Sequence, residues 1–234
     1  MPSLFEQSEL ADLIDKVENG QRLDFDDGVR LIKSQEILTL GYMANSIRDR
    51  KNGNQTYFIV NRPVDFANII VSLEENEKRY TAFMPYGNQA TEETVINSLI
   101  QLREQQDQNE EFLAFSPIPY YSENENLAGN MGVGSTTGYE DLKILAVSRI
   151  LLDNFSHIKT FWRLLGPKLA QVSLAFGVDD LDGTVMEERG APVLGPESSH
   201  IMSKRALIHL IQKAGRDAVE RDILYRVLKN NSEH

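Results

Sequence analysis

Cysteine is absent from all 234 residues of the chain. That excludes disulfides, thiol nucleophiles, Cys-based zinc sites and thiolate-held iron–sulfur clusters. Histidine is scarce: His157, His200, His209 and His234 stand apart, with no HExxH or HxH spacing, so no dedicated metal site is expected. Basic residues are outnumbered 24 to 35, leaving a net charge of −11. Nucleic acid and anionic membranes are held mainly through Lys and Arg, so neither is an expected partner; the plain meaning of the acidity is solubility. No apolar run approaches the roughly 20 residues that span a bilayer. The opening MPSLFEQSELADLIDK is acidic and amphipathic, unlike a secretory signal, and a cytoplasmic setting is expected.

What is present is an ordinary globular composition, 41% hydrophobic and 25% charged. Leu4, Phe5, Leu10, Leu13, Ile14 and Val17 share one helical face, and Asn19-Gly20 stops that helix. Asp24 to Asp27 reads as a cap region before a short helix over Gly28–Lys33, and Gln35–Arg50 as a third helix. The texture then changes. Thr56–Val60, Ala67–Leu73, Tyr80–Tyr86, Phe112–Ile118 and Ile158–Leu164 read as strands, with helices over Thr91–Asp107, Tyr139–Asn154 and Pro167–Phe176. A helix over Ser203–Ala214 and an amphipathic segment over Val219–Leu228 follow.

Alternating strands and helices predict an α/β fold: N-terminal helices, then an incomplete (β/α) barrel-like parallel sheet, then a helical C-terminal tail. The divisions fall at 1–55, 56–190 and 191–234. The middle segment, about 135 residues, accommodates four or five βα units, whereas a closed eight-fold barrel uses around 250 residues.

Several local features have plain readings. Gly129–Gly134 lacks GxGxxG spacing, the Walker lysine and a preceding strand, so it reads as a loop. Phe161 and Trp162 read as core. His157 has no Ser or Cys partner discernible in the sequence. A DDLDG run with nearby acids is commonly a strand end and cap.

Three blocks carry a resemblance. The first is VRLIKSQEILTLGYMANSIRDRKNGNQTYF; the second spans Tyr80–Leu127 with TAFMPYG, TEETVINSLIQLREQQ and FLAFSPIPYYSENENL. The third spans Thr136–Leu228, with TTGYEDLKILAVSRILLDNF, GPKLAQVSLAFGVDDLDGTVMEE and KAGRDAVERDILY. Together they are similar to aminofutalosine synthase, a radical-SAM enzyme of the futalosine route to menaquinone. The resemblance implies a TIM-barrel-like fold, with S-adenosylmethionine and a [4Fe–4S] cluster as the family cofactors. It also implies that the acidic segment lies at the end of the last barrel strand, facing the substrate side. Ligand contacts are accordingly expected from Asp179, Asp180, Asp182, Thr184, Glu187 and Glu188, with Tyr120 and Glu123 as pocket walls.

The chain departs from the family pattern twice. After Asn61-Arg62 it passes almost directly to the later strands, without the CxxxCxxC loop or much of the first half of the barrel. Pro192 stands where the family carries a histidine. No cofactor is therefore expected in this chain, and no radical chemistry from it alone. The expectation is a shortened pseudoenzyme acting through association, as a homo-oligomer or with a related or complementary chain that completes the sheet. Retained ligand binding, or service as one subunit of a split synthase whose cluster half is another chain, are the other readings.

Overall fold

The computed structural model describes residues 5–60, 80–87, 90–119, 136–183, 185–186 and 202–230. The predicted strand over Ala67–Leu73, the loop at Gly129–Gly134 and Pro192 lie outside these residues.

Three helices open the chain, α1 (Ala11–Glu18), α2 (Phe25–Lys33) and α3 (Ile37–Asn52). The first begins later than its apolar periodicity predicts, yet Phe5 and Leu10 are still buried with Leu13, Ile14 and Val17. Asp24 caps α2: its carboxylate accepts the Asp27 N–H, while Asp27 accepts the Asp24 N–H. This reciprocal pair satisfies donors that a helix start leaves open. Lys16 reaches Asp27 at 2.7 Å and ties α1 to that cap.

β1 (Gln55–Phe58), β2 (Thr81–Tyr86), α4 (Glu92–Asn109), β3 (Ala114–Pro119), α5 (Gly138–Leu151) and β4 (His157–Phe161) follow. Then come α6 (Trp162–Leu165), α7 (Pro167–Ser173), β5 (Asp180–Asp182), β6 (Val185–Met186) and β7 (Met202–Ser203). The described chain closes with α8 (Lys204–Lys213), β8 (Asp217–Arg221) and β9 (Val227–Asn230). Thr91 caps α4, and Thr137 with Glu140 forms a second capping box at α5.

Among the described residues, seven strands make one sheet in the order β2-β3-β4-β5-β1-β8-β9, parallel except for β9 against β8. β6 and β7 form a small separate pair. The sheet draws strands from both sides of residue 190. The tail is helical over α8, as expected, but the amphipathic stretch after it is a β-hairpin. Val219 and Arg221 alternate with Ala218 and Glu220, a period of two that suits a strand, and β1 offers it a ladder from Gln55↔Asp217 to Phe58↔Glu220. The strand predicted over Ile158–Leu164 ends at Phe161 and turns into α6.

Period-two alternation gives the sheet two different faces. Phe58, Ala82, Met84, Phe115, Ile158 and Leu181 face the helices and join the main core. The central helix α5 is buried along nearly its whole length, from Ile144 to Leu151. On the opposite, concave face a separate small cluster gathers Ile118, Phe161, Leu164 and Phe83. Phe161 and Trp162 are buried, as expected of core residues.

Gly177, between α7 and β5, has φ +90°, and a Cβ there would lie 2.6 Å from Arg149 Cβ. Only glycine combines that backbone with that approach. Gly177→Ala is expected to destabilise the fold by about 3 kcal/mol through strain and overpacking, read as a lowered midpoint in urea unfolding.

Candidate functional site

The acidic run is divided by strand alternation. Asp179 precedes β5 and faces α5; Asp180 and Asp182 face the concave side; Leu181 between them enters the main core. All three carboxylates are fully buried.

Asp179 is bound on every side. It pairs with Arg149 of α5, meets His157 Nδ1 at 2.6 Å, and accepts the Ile158 N–H at 2.8 Å. Burial alone would raise its pKa, but Arg149 and then His157 outweigh that and hold it below the ordinary carboxyl value. Arg149 also donates to the carbonyls of Gly177 and Ser156, at 2.8 and 3.2 Å. His157 thus has a partner that the sequence did not disclose, and the pair fixes architecture.

On the concave side, Asp180 Oδ2 is 2.5 Å from Arg221 Nη2 and accepts the Tyr225 hydroxyl. Asp182 lies 3.1 Å from Lys159 Nζ and 3.5 Å from Arg221, and accepts the Gly183 N–H at 2.6 Å. Two buried carboxylates therefore face two buried cations. Burial opposes the charge of Arg221, but Asp180, Tyr225 and Asp182 more than reverse this and hold it above its ordinary value. The Tyr225 phenol is pushed well above its own value, by burial first and then by Asp180, with Arg221 opposing. Tyr57, level with Asp180 in the β1–β5 register, is raised mainly by burial.

Aromatic contacts complete the arrangement. Tyr225 stacks on His157 with ring centroids 4.0 Å apart, and the Arg221 guanidinium lies 4.2 Å over the Tyr225 ring. Tyr57 meets His157 edge-on at 4.9 Å. Gly183, φ +142°, lies so close to Trp162 that a Cβ would come 2.3 Å from Nε1, which closes the end of β5 against α6. Asp180 Oδ1, Arg221 Nε and Ser116 Oγ are buried with no hydrogen-bond partner among the described residues. Open hydrogen-bonding capacity on a charged, enclosed face is a property of binding sites more than of packing cores.

Asp180 and Asp182 are thus brought together, and Asp179 is not with them. Thr184, Glu187, Glu188, Tyr120 and Glu123 lie outside the described residues. Lys159, Arg221, Tyr225, Tyr57 and His157 were missed as members of one constellation. Arg221 and Tyr225, four apart in KAGRDAVERDILY, carried a signal of their own: an arginine and a tyrosine at a strand end beside a hairpin turn.

A family model described as the CofH/MqnC C-terminal region matches residues 109–233. The chain belongs to this family. It is 44% identical over 149 residues to the aminodeoxyfutalosine synthase of Thermus thermophilus, covering 63% of this chain and 40% of that one. The 5-amino-6-(D-ribitylamino)uracil--L-tyrosine 4-hydroxyphenyl transferase of Archaeoglobus fulgidus is 38% identical over 149 residues, covering 63% and 43%. The cyclic dehypoxanthine futalosine synthase of Streptomyces coelicolor is 34% identical over 148 residues, covering 63% and 36%. The chain thus spans about two fifths of the length of these curated relatives.

Among solved structures, the hydrogenase maturase HydG of Carboxydothermus hydrogenoformans superposes with a TM-score of 0.63 at 10% identity, covering 94% of this chain and 81% of that one. Methylornithine synthase superposes with a TM-score of 0.59 at 12% identity, covering 87% and 96%. These likenesses bear out the α/β, barrel-like fold. The family resemblance read from the sequence is likewise borne out. A [4Fe–4S] cluster of the kind the family implies needs thiolates, and the donor set of this chain does not fit it. Among the described residues no three His, Asp or Glu side chains are placed to hold a metal ion.

Because the folded-state pKa of Asp179 is depressed, its contribution to stability is present above the unfolded carboxyl value near 4 and is lost as pH falls through the folded value. Asp179→Asn leaves Arg149 buried without its counter-charge and is expected to cost about 3–5 kcal/mol at neutral pH. The difference in urea-unfolding free energy between parent and variant should narrow as pH is lowered from 7 toward 3. An unchanged difference across that range would contradict the assignment.

Proposed function

We propose that this chain is a shortened aminofutalosine-synthase-like protein that is not a radical enzyme by itself and acts through association with another chain. The observation that carries the reading is the complete lack of thiolates in a member of this family. The similarity to aminodeoxyfutalosine synthase supports a role connected with the futalosine route, and the composition supports a cytoplasmic setting. Among the described residues no helix is long and apolar enough to cross a membrane.

The sheet supplies a physical basis for association. Among the described residues β2 and β9 are its outermost strands. Val227 and Leu228 on β9 are 56% and 63% exposed, and Leu224 in the turn is also exposed. An apolar edge strand with unpaired backbone groups is a template for another strand. The partner proposed is a second copy, or a related chain that completes the sheet. Service as one subunit of a split synthase is the second reading, favoured by the spacing between Arg62 and Tyr80, where the cysteine loop that a partner would supply is missing.

Sedimentation at high protein concentration is expected to show a species heavier than the 26.5 kDa chain. Val227→Lys with Leu228→Lys should return it to a monomer while leaving the unfolding midpoint within a few degrees, since exposed substitutions usually change stability by under about 0.5 kcal/mol. A monodisperse parent monomer would overturn association between copies. Turnover restored by a cysteine-bearing family member would establish the split-enzyme reading, and its absence with every such member would remove it.

A further inference from the structure

We propose that copies of this chain join head to tail, the basic outer face of α7 and α8 in one copy docking on the acidic carboxyl end of α4 in the next. The proposal rests on the reading that copies associate, and it names the surfaces that orient them.

Charge is segregated along the sequence. Residues 154–178 and 198–216 hold seven Lys and Arg and no Asp or Glu, in a chain whose net charge is −11. Residues 104–142 hold eight Asp and Glu and no Lys or Arg. Folding carries the two kinds of stretch to opposite ends of the sheet. α4 packs on β2, the first strand in the sheet order, and α8 packs on β8, the last but one.

On α8, Leu207 and Ile211 are buried, whereas Arg205, His209 and Lys213 recur every fourth residue along the exposed side. α7 lies beside it, tied by Gln171 Nε2, which donates to the Leu210 carbonyl at 2.8 Å. It exposes Lys168 and, one turn on, Val172. Among the described residues Lys168, Arg205 and Lys213 have no carboxylate partner. The cations of α1 and α2 differ: Lys16, Arg30 and Lys33 each lie within 2.9 Å of a carboxylate.

Both faces hold charge where it does not help the helix that carries it. Arg205 is in the first turn of α8, at the positive end of the helix dipole, where no acidic residue accompanies it. α4 has no basic residue in its last turn, and Glu110, at φ +51°, and Glu111 follow directly at the negative end. Glu104, Glu110 and Glu111 are all exposed. The two ends thus present local fields of opposite sign, the complementarity that orients one protein surface on another. An apolar contact at Val172 within a charged rim is the composition of a protein interface. Three permanent cations, with no Phe, Tyr or Trp on either helix, are a poor match for nucleic acid, whose affinity comes from many phosphate contacts. Because the two faces are different surfaces, the contact is heterologous and builds a ring or an open chain according to whether its rotation closes.

The test is sedimentation velocity of the full-length chain beside two charge-reversed variants, Lys168→Glu with Arg205→Glu and Glu110→Lys with Glu111→Lys. The parent should associate at low salt and dissociate at about 1 M, where charges are screened beyond roughly 3 Å. Each variant alone should be a monomer. Mixed in equal amounts they should associate as the parent does, since each then meets its complement. Urea-unfolding midpoints of both variants should lie at or above the parent's, because the new charges at the ends of α8 and α4 suit the dipole; loss of association then has no origin in misfolding. Variants that associate like the parent would overturn the proposal, and the β9 edge would stand if Val227→Lys with Leu228→Lys alone gave a monomer. Monomeric variants that stay monomeric on mixing would overturn it, as would parent association of equal strength at both salt concentrations. A monodisperse parent at both would overturn it together with association between copies.

Discussion

The buried pair of Asp179 and Arg149 is the constraint on which the rest of this structure depends. A guanidinium fully removed from water is tolerated only where charge and carbonyls meet it. Here a carboxylate and two backbone carbonyls do so, fixing α5 against the ends of β4 and β5. Arg48 of α3 does the same work on the neighbouring strand. It donates to the carbonyls of Val178, Gly53 and Gln55, so that β1 starts where the helix stops. These two arginines set the strand ends that aim Tyr57, Lys159, Asp180 and Asp182 at the concave face. Burial makes them costly to leave unpaired, and so makes the geometry hard to change by small steps.

The contrast between the sheet's two sides follows from strand alternation. The helix side is aliphatic and aromatic; the concave side carries two carboxylates, two cations and three rings of polar character. In a closed barrel such a face would be an interior. In this chain the hairpin that flanks β1 brings its own arginine and tyrosine to neutralise and cover it. The likeness to barrel enzymes is a likeness of fold; on that fold the β8–β9 hairpin brings Arg221 and Tyr225 onto Asp180.

Much of the architecture was legible in the sequence because periodicity and capping act locally. Asp24, Thr91, Thr137 and Ser203 all mark helix starts where they cap, and the runs YTAFMPY and FLAFSPI contain β2 and all of β3 but its last residue, Pro119. The acidic segment was legible as a set of expected ligand contacts, but its division was not, since separating Asp179 from its neighbours requires knowing where β5 begins. The cations were illegible for another reason. Lys159 and Arg221 meet their partners across strands far apart in the chain, and only tertiary pairing reveals such a contact. The hairpin at the tail was hidden because a five-residue strand and an amphipathic helical turn share much of their pattern.

The position of β1 has a consequence for how the molecule is made. Tyr57 finds its neighbours in Asp180 on one side and Val219 on the other. Both are synthesised long after it, and both ladders close loops of well over a hundred residues. Such distant pairings carry a large loop-closure entropy and make folding slow. A nascent chain that has emerged through α5 already holds five of the described helices, yet neither described ladder partner of β1 has been made. Until β5 and β8 have both been made, β1 lacks the two ladder partners that hold it in the described sheet.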